Sequence, residues 1–103
     1  MASNHKVELA DGELYTLEGR ILVDADGSLY LNVDLRKHPW LANAKRVQNP
    51  YYRIAGNAAQ WQQYVGRTIL LVATAHVVVG GGQYEIVLAP VNSDPSHSIV
   101  RFW

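Results

Sequence analysis

The sequence predicts a mainly β domain with the order β-β-β-α-β-β. Three observations predict it. Apolar residues alternate with polar ones at period two over two segments near the start, the signature of strands with one buried face. Asp-Gly, Gly-Gly-Gly and Asp-Pro clusters punctuate the strand-like segments as turns and loops do. One segment, 57–65, shows helical spacing instead, bounded by Asn57 and Gly66. The chain has 103 residues, 49% hydrophobic and 17% charged. That is one ordinary globular domain with room for a modest core.

Residues 1–13 are polar and irregular, and a frayed, flexible lead-in is expected there. From Tyr15 the alternation begins. Tyr15, Leu17, Gly19, Ile21 and Val23 fall on one face, and Thr16, Glu18, Arg20 and Leu22 on the other. Ala25-Asp26-Gly27-Ser28 follows, and its Asp-Gly pair suits a tight hairpin because glycine accepts positive φ. In the second strand Leu29, Leu31, Val33 and Leu35 alternate with Tyr30, Asn32 and Asp34.

Residues 36–50 form a long connection between the second and third strands, with Pro39 and Pro50 bracketing a segment able to form a short helix. Loops of this length in compact domains often carry function. Tyr51–Ala55 reads as a third strand ended by Gly56. Asn57 then caps a short helix, with Gln60 at capping-box spacing and Ala58, Trp61 and Val65 as its apolar stripe. Arg67–Val79 is apolar on both parities, as in a strand covered on both faces. Gly80–Gly82 connects it to a fifth strand, Gln83–Val91. Asn92–Ser98 is a turn or linker, and Ile99–Trp103 an apolar tail.

This order, with Gly56 before the helix and Gly66 after it, resembles the oligonucleotide/oligosaccharide-binding (OB) fold. The resemblance covers about residues 14–91. It rests on element order and on Tyr52-Arg53-Ile54-Ala55-Gly56 followed by Tyr64-Val65-Gly66-Arg67-Thr68-Ile69-Leu70-Leu71-Val72. It implies a small five-stranded barrel with one capping helix. Leu17, Ile21, Val23, Leu29, Leu31, Val33, Ile54, Ile69, Leu71, Ile86 and Leu88 would fill it, with Trp61 and Val65 closing its end. The long connection between strands two and three departs from the most compact members.

Net charge is zero, yet residues 36–67 carry six bases and no acid, whereas residues 1–35 carry seven acids and two bases. The basic stretch also holds Trp40, Tyr51, Tyr52, Trp61 and Tyr64, half the chain's aromatics. Interleaved cations and flat rings suit single-stranded nucleic acid, since rings stack on bases and cations neutralise phosphates. The OB resemblance implies a binding surface on the outer face of strands two and three. There the alternation points Tyr30, Asn32, Tyr51 and Arg53 outward, with Arg36, Lys37, Trp40, Lys45 and Arg46 above them on the long loop. Gln83 and Gly80–Gly82 would form one rim. The competing reading folds Trp40 and Leu41 down as a satellite core and leaves the cations solvated. Zero net charge also argues against long-range attraction of a polyanion.

The expected function is therefore a non-catalytic module that binds single-stranded DNA or RNA. A protein-interaction or assembly module is the alternative, motivated by the separated charge poles and the tail. Ile99, Val100, Phe102 and Trp103 are costly to leave in water. They either add a strand to their own domain or meet another subunit, as in a homo-oligomer. An oligosaccharide or small-ligand binder is a third reading. Without cysteine there is no disulfide, thiolate metal site or Cys nucleophile. His5, His38, His76 and His97 lack metal-ligand spacing, no serine sits in a nucleophile elbow, and Gly80–Gly82 lacks the Lys and Ser/Thr of a phosphate loop. No enzyme activity and no cofactor are expected. The start shows no apolar leader, and the apolar run Ile69–Val79 is too short to cross a bilayer. A cytoplasmic protein without membrane contact is the expectation.

Overall fold

The computed structural model describes residues 11–38, 51–80 and 83–103. Its strands are β1 (Glu13–Val23), β2 (Leu29–Val33), β3 (Tyr51–Ile54), β4 (Thr68–Gly80), β5 (Gln83–Pro90) and β6 (Ile99–Phe102). Short 3-10 helices span Ala58–Tyr64 and Pro95–His97. The sheet order is β1-β2-β3-β5-β4-β6, and an additional β1–β4 pairing closes the first five of these strands into a ring. The result is a small closed barrel of five strands with β6 outside it. β3 and β5 run parallel and every other pair is antiparallel.

Closure depends on β1, which changes partners along its length. Glu13–Arg20 pair with β4, and Gly19–Val23 pair with β2. At the changeover the backbones of β1 and β2 come very close. A Cβ on Gly19 would lie 2.5 Å from the carbonyl oxygen of Asn32 and 2.9 Å from Cγ of Leu31. Only a residue without a side chain fits there. The turn after β1 is the Asp-Gly turn expected from sequence. Gly27 has φ 87°, and Asp24 Oδ1 accepts from the backbone N–H groups of Asp26 and Ser28.

Of the expected aliphatic core, all but Val23 are buried, and Val23 packs against the core from a partly exposed position. Tyr52, Ala73 and Ala75 join them. The barrel's plug differs from expectation. The capping segment is a 3-10 helix, not an α-helix, so three residues complete a turn. Trp61 and Tyr64 therefore share the inward face, with ring centroids 6.5 Å apart at 66°. Val65, expected inside as the fourth residue along, is 38% exposed. It leaves the helix in extended conformation and bridges Ile21 in parallel. Asn57 is the N-cap, accepting from the N–H of Ala59.

β1 starts at Glu13, two residues before Tyr15, and Asp11 accepts from the N–H of Val77. The expected tail forms β6, which pairs with β4. β5 ends where Pro90 faces Ala73, and β6 takes up the same side of β4 from Leu71 to Ile69. Between them the chain makes a short excursion held by Ser98, 1% exposed, whose hydroxyl donates to the Asn92 carbonyl and accepts from the Asn92 N–H. Asp94 caps the turn Pro95–His97. Phe102 meets the Tyr64 ring edge-to-face at 5.5 Å, while Val100, Phe102 and Trp103 stay about half exposed or more.

Two substitutions test this account by urea unfolding. Gly19→Ala is expected to cost at least the roughly 1–3 kcal/mol typical of overpacking. Trp61→Ala should cost about 3–5 kcal/mol through the cavity it leaves. A Gly19→Ala protein with unchanged midpoint would show that the β1 changeover does not require close approach.

Candidate functional site

Four of the expected binding residues share one surface. Tyr30 on β2 lies opposite Arg53 on β3, and Asn32 lies opposite Tyr51. β1 extends both rows, with Leu22 opposite Tyr30 and Arg20 opposite Asn32. β5 extends the first row, with Val87 beside Arg53. Their neighbours Ile21, Leu31, Tyr52, Ile54 and Leu88 are buried, so strand alternation turns these residues outward. Tyr52 shows the inward alternative: burial pushes its hydroxyl pKa up to about 12.

Among the described residues, two shallow depressions cross this face. One, of about 440 Å³, is lined by Leu22, Val23, Asp24, Tyr30 and Tyr51. The other, of about 430 Å³, includes Arg20, Asn32, Asp34, Arg36 and Thr68 in its lining. Tyr30 and Tyr51 are diagonal cross-strand neighbours, close enough for aromatic side chains to border one hollow. Tyr51 is 47% exposed. A third hollow, of about 320 Å³, lies where the β1–β2 turn meets the end of β3, between Asp26, Ser28, Arg53 and Gly56.

The electrostatics differ from a row of open cations. Arg53 Nε lies 3.2 Å from Glu85 Oε2, and a second guanidinium nitrogen is 3.4 Å from Oε1. Arg36 Nε donates to Asp34 Oδ1 at 3.1 Å and its terminal nitrogen to Oδ2 at 3.3 Å. That guanidinium holds the Asp34 carboxyl below the usual carboxylate range. Among the described residues, Arg20 and Lys37 have no carboxylate within ion-pair distance. Arg67 lies off this face. Its Nε donates to the Trp103 carbonyl at 2.9 Å, and its guanidinium sits 4.7 Å over the Phe102 ring.

Trp40, Lys45 and Arg46 lie outside the described residues, as do Gly81 and Gly82 of the expected rim. The residues before that segment are fixed to the barrel. The N–H groups of Lys37 and His38 donate to the carbonyls of Asp34 and Leu35, and His38 Nε2 accepts from the N–H of Glu18 at 2.9 Å. His76 points outward from β4, with Nδ1 3.8 Å from Asp11 Oδ1.

Reading the sequence missed Arg20, Leu22 and Glu85. Arg20 and Leu22 carried a signal, since the alternation of β1 places them on its outer face. They belong to the acidic third of the chain, away from the basic stretch 36–67. Glu85 carried none, because the β3–β5 pairing joins segments far apart in sequence. Among the described residues, no helix is long and apolar enough to cross a membrane. The chain matches no protein-family model, no curated protein and no solved structure.

The His38 contact has a pH consequence. Nε2 can accept a hydrogen bond only in the neutral ring, and desolvation lowers the His38 pKa from its ordinary 6.5 against the pull of Glu18 and Asp34. The unfolded chain thus takes the proton first as pH falls. The stability this group contributes is full above 6.5 and is lost as pH falls through the folded value. An NMR titration should show the His38 ring titrating below 6.5, and His38→Ala should flatten the stability change between about pH 7 and pH 5. A His38 ring titrating at or above 6.5 overturns this account.

Proposed function

We propose that the barrel is an OB-type module that binds single-stranded nucleic acid on the outer face of β1, β2 and β3. The observation that carries this reading is the pair Tyr30 and Tyr51, bordering one shallow apolar hollow on adjacent strands with Arg20 in the neighbouring row. Tyrosine faces accept any base by stacking, and Arg20 is placed to take a phosphate. The five-stranded closed barrel, with its helical segment between β3 and β4, supports the OB assignment. The surface assigned by that resemblance is the one on which the half-buried Tyr30 and the exposed Tyr51 lie.

The reading predicts binding with little sequence preference and modest salt dependence. Tyr30→Ala and Tyr51→Ala should each weaken binding of a labelled oligonucleotide by about 1–3 kcal/mol if each ring stacks on one base. Arg20→Gln should reduce the salt slope by about 0.7, the value for one single-strand phosphate contact. Fluorescence anisotropy at low and high salt measures both. Absence of binding at low salt, where phosphate contacts are strongest, ends the proposal.

One observation favours a second reading, a protein contact through β6. Val100 and Phe102 on β6 and Trp103 just after it are 64%, 48% and 52% exposed, and among the described residues β6 pairs with β4 alone. Apolar exposure of this kind marks interaction surfaces. Light scattering should then show a dimer or larger species that Val100→Lys disperses. A native chain that is monomeric at every concentration tested removes a contact between copies.

A further inference from the structure

Arg53 stands in the same cross-strand row as Tyr30, where a phosphate linking bases stacked on this face would pass. Its guanidinium is already engaged by both oxygens of Glu85, at 3.2 and 3.4 Å. Both side chains are close to half exposed, 45% and 43%, so the pair is open to an incoming anion. A carboxylate gripping a guanidinium with two oxygens occupies the geometry a phosphate would use. We infer that Glu85 acts as a built-in stand-in for phosphate on Arg53, so that the native face takes a single strand by its bases and through Arg20. Arg53 contacts phosphate only when Glu85 is neutralised.

This rests on the nucleic-acid reading and adds a specificity-determining residue to it. The Asp34 carboxylate holds Arg36 in the same two-oxygen manner beside the neighbouring depression. The face thus keeps two of its cations occupied. A ligand must bring stacking surface, which single strands offer and duplexes hide. Phosphate-rich molecules without accessible bases gain little.

The test measures affinity and salt slope for a short labelled single strand, with inorganic polyphosphate as competitor. Proteins are native, Glu85→Gln, Arg53→Gln/Glu85→Gln, and Asp94→Asn. The last removes one negative charge at the turn between β5 and β6 while keeping a capping side chain. Circular dichroism confirms folding of each. Glu85→Gln should bind about two- to fivefold tighter at low salt, the range of an exposed ion pair. Its salt slope should steepen by about 0.7, one added phosphate contact. Polyphosphate should compete better against it than against native protein. The double variant should return to the native slope, and Asp94→Asn should match native throughout. Native binding with an unchanged Glu85→Gln slope overturns the role of Glu85 and leaves the nucleic-acid reading standing. Equal gains in Glu85→Gln and Asp94→Asn also overturn it, since net charge alone would then be responsible. Absence of binding by both native and Glu85→Gln proteins overturns the nucleic-acid reading itself.

Discussion

The barrel depends on one close approach, where β1 passes from β4 to β2 at Gly19. The two halves of β1 pair with different neighbours, and where they overlap its backbone comes within reach of the Asn32 carbonyl. Everything that closes the barrel follows. The inward face of β1 meets those of β2 and β4 around Leu17, Ile21, Leu31, Ile69 and Leu71, and the 3-10 plug seals the end with Trp61 and Tyr64. The outer face follows too. Pairing β1 with β2 in this register sets Arg20 beside Asn32 and Leu22 beside Tyr30, which builds the surface of the candidate site.

Period-two alternation made most of this architecture legible in sequence. It set the inward sides of β1, β2 and β3, and hence Tyr30, Asn32, Tyr51 and Arg53 on the outside. Turn chemistry marked Asp26-Gly27 and Gly56-Asn57. What escaped was non-local or fine-grained. Val65 was misplaced because capping residues announce a helix without stating its pitch. A 3-10 turn puts Tyr64, not Val65, above Trp61. The tail's destination was open because the free side of β4 beyond Pro90 exists only once β5 has docked. The partners of Arg53 and Arg36 show the same division. Asp34 lies two residues from Arg36 and could be suspected, whereas Glu85 reaches Arg53 only through β3–β5 pairing.

The charge pattern that stood out in sequence changes meaning in three dimensions. The acid-free stretch is acid-free only along the chain. In space, Asp34 and Glu85 from outside it pair with Arg36 and Arg53, and Arg67 leaves the group to hold the end of β6. Among the described residues, the open arginine on the face, Arg20, comes from the acidic third. A linear count of charges therefore overstates the open positive charge among the described residues of this face.

The pairing of β1 with β4 also bears on how the chain reaches this state. β1 and β2 can form a hairpin as soon as the 24–28 turn closes, a local event. The pair that completes the barrel instead joins Arg20 to Thr68 and Glu13 to Ala75, across most of the chain. Such distant pairing carries loop-closure entropy before any contact offsets it, which slows folding. Until β4 arrives, the long outer edge of β1 stands with its backbone unpaired, the kind of edge through which partly folded chains associate. Pairing of β1 with β4 is the event that covers this edge.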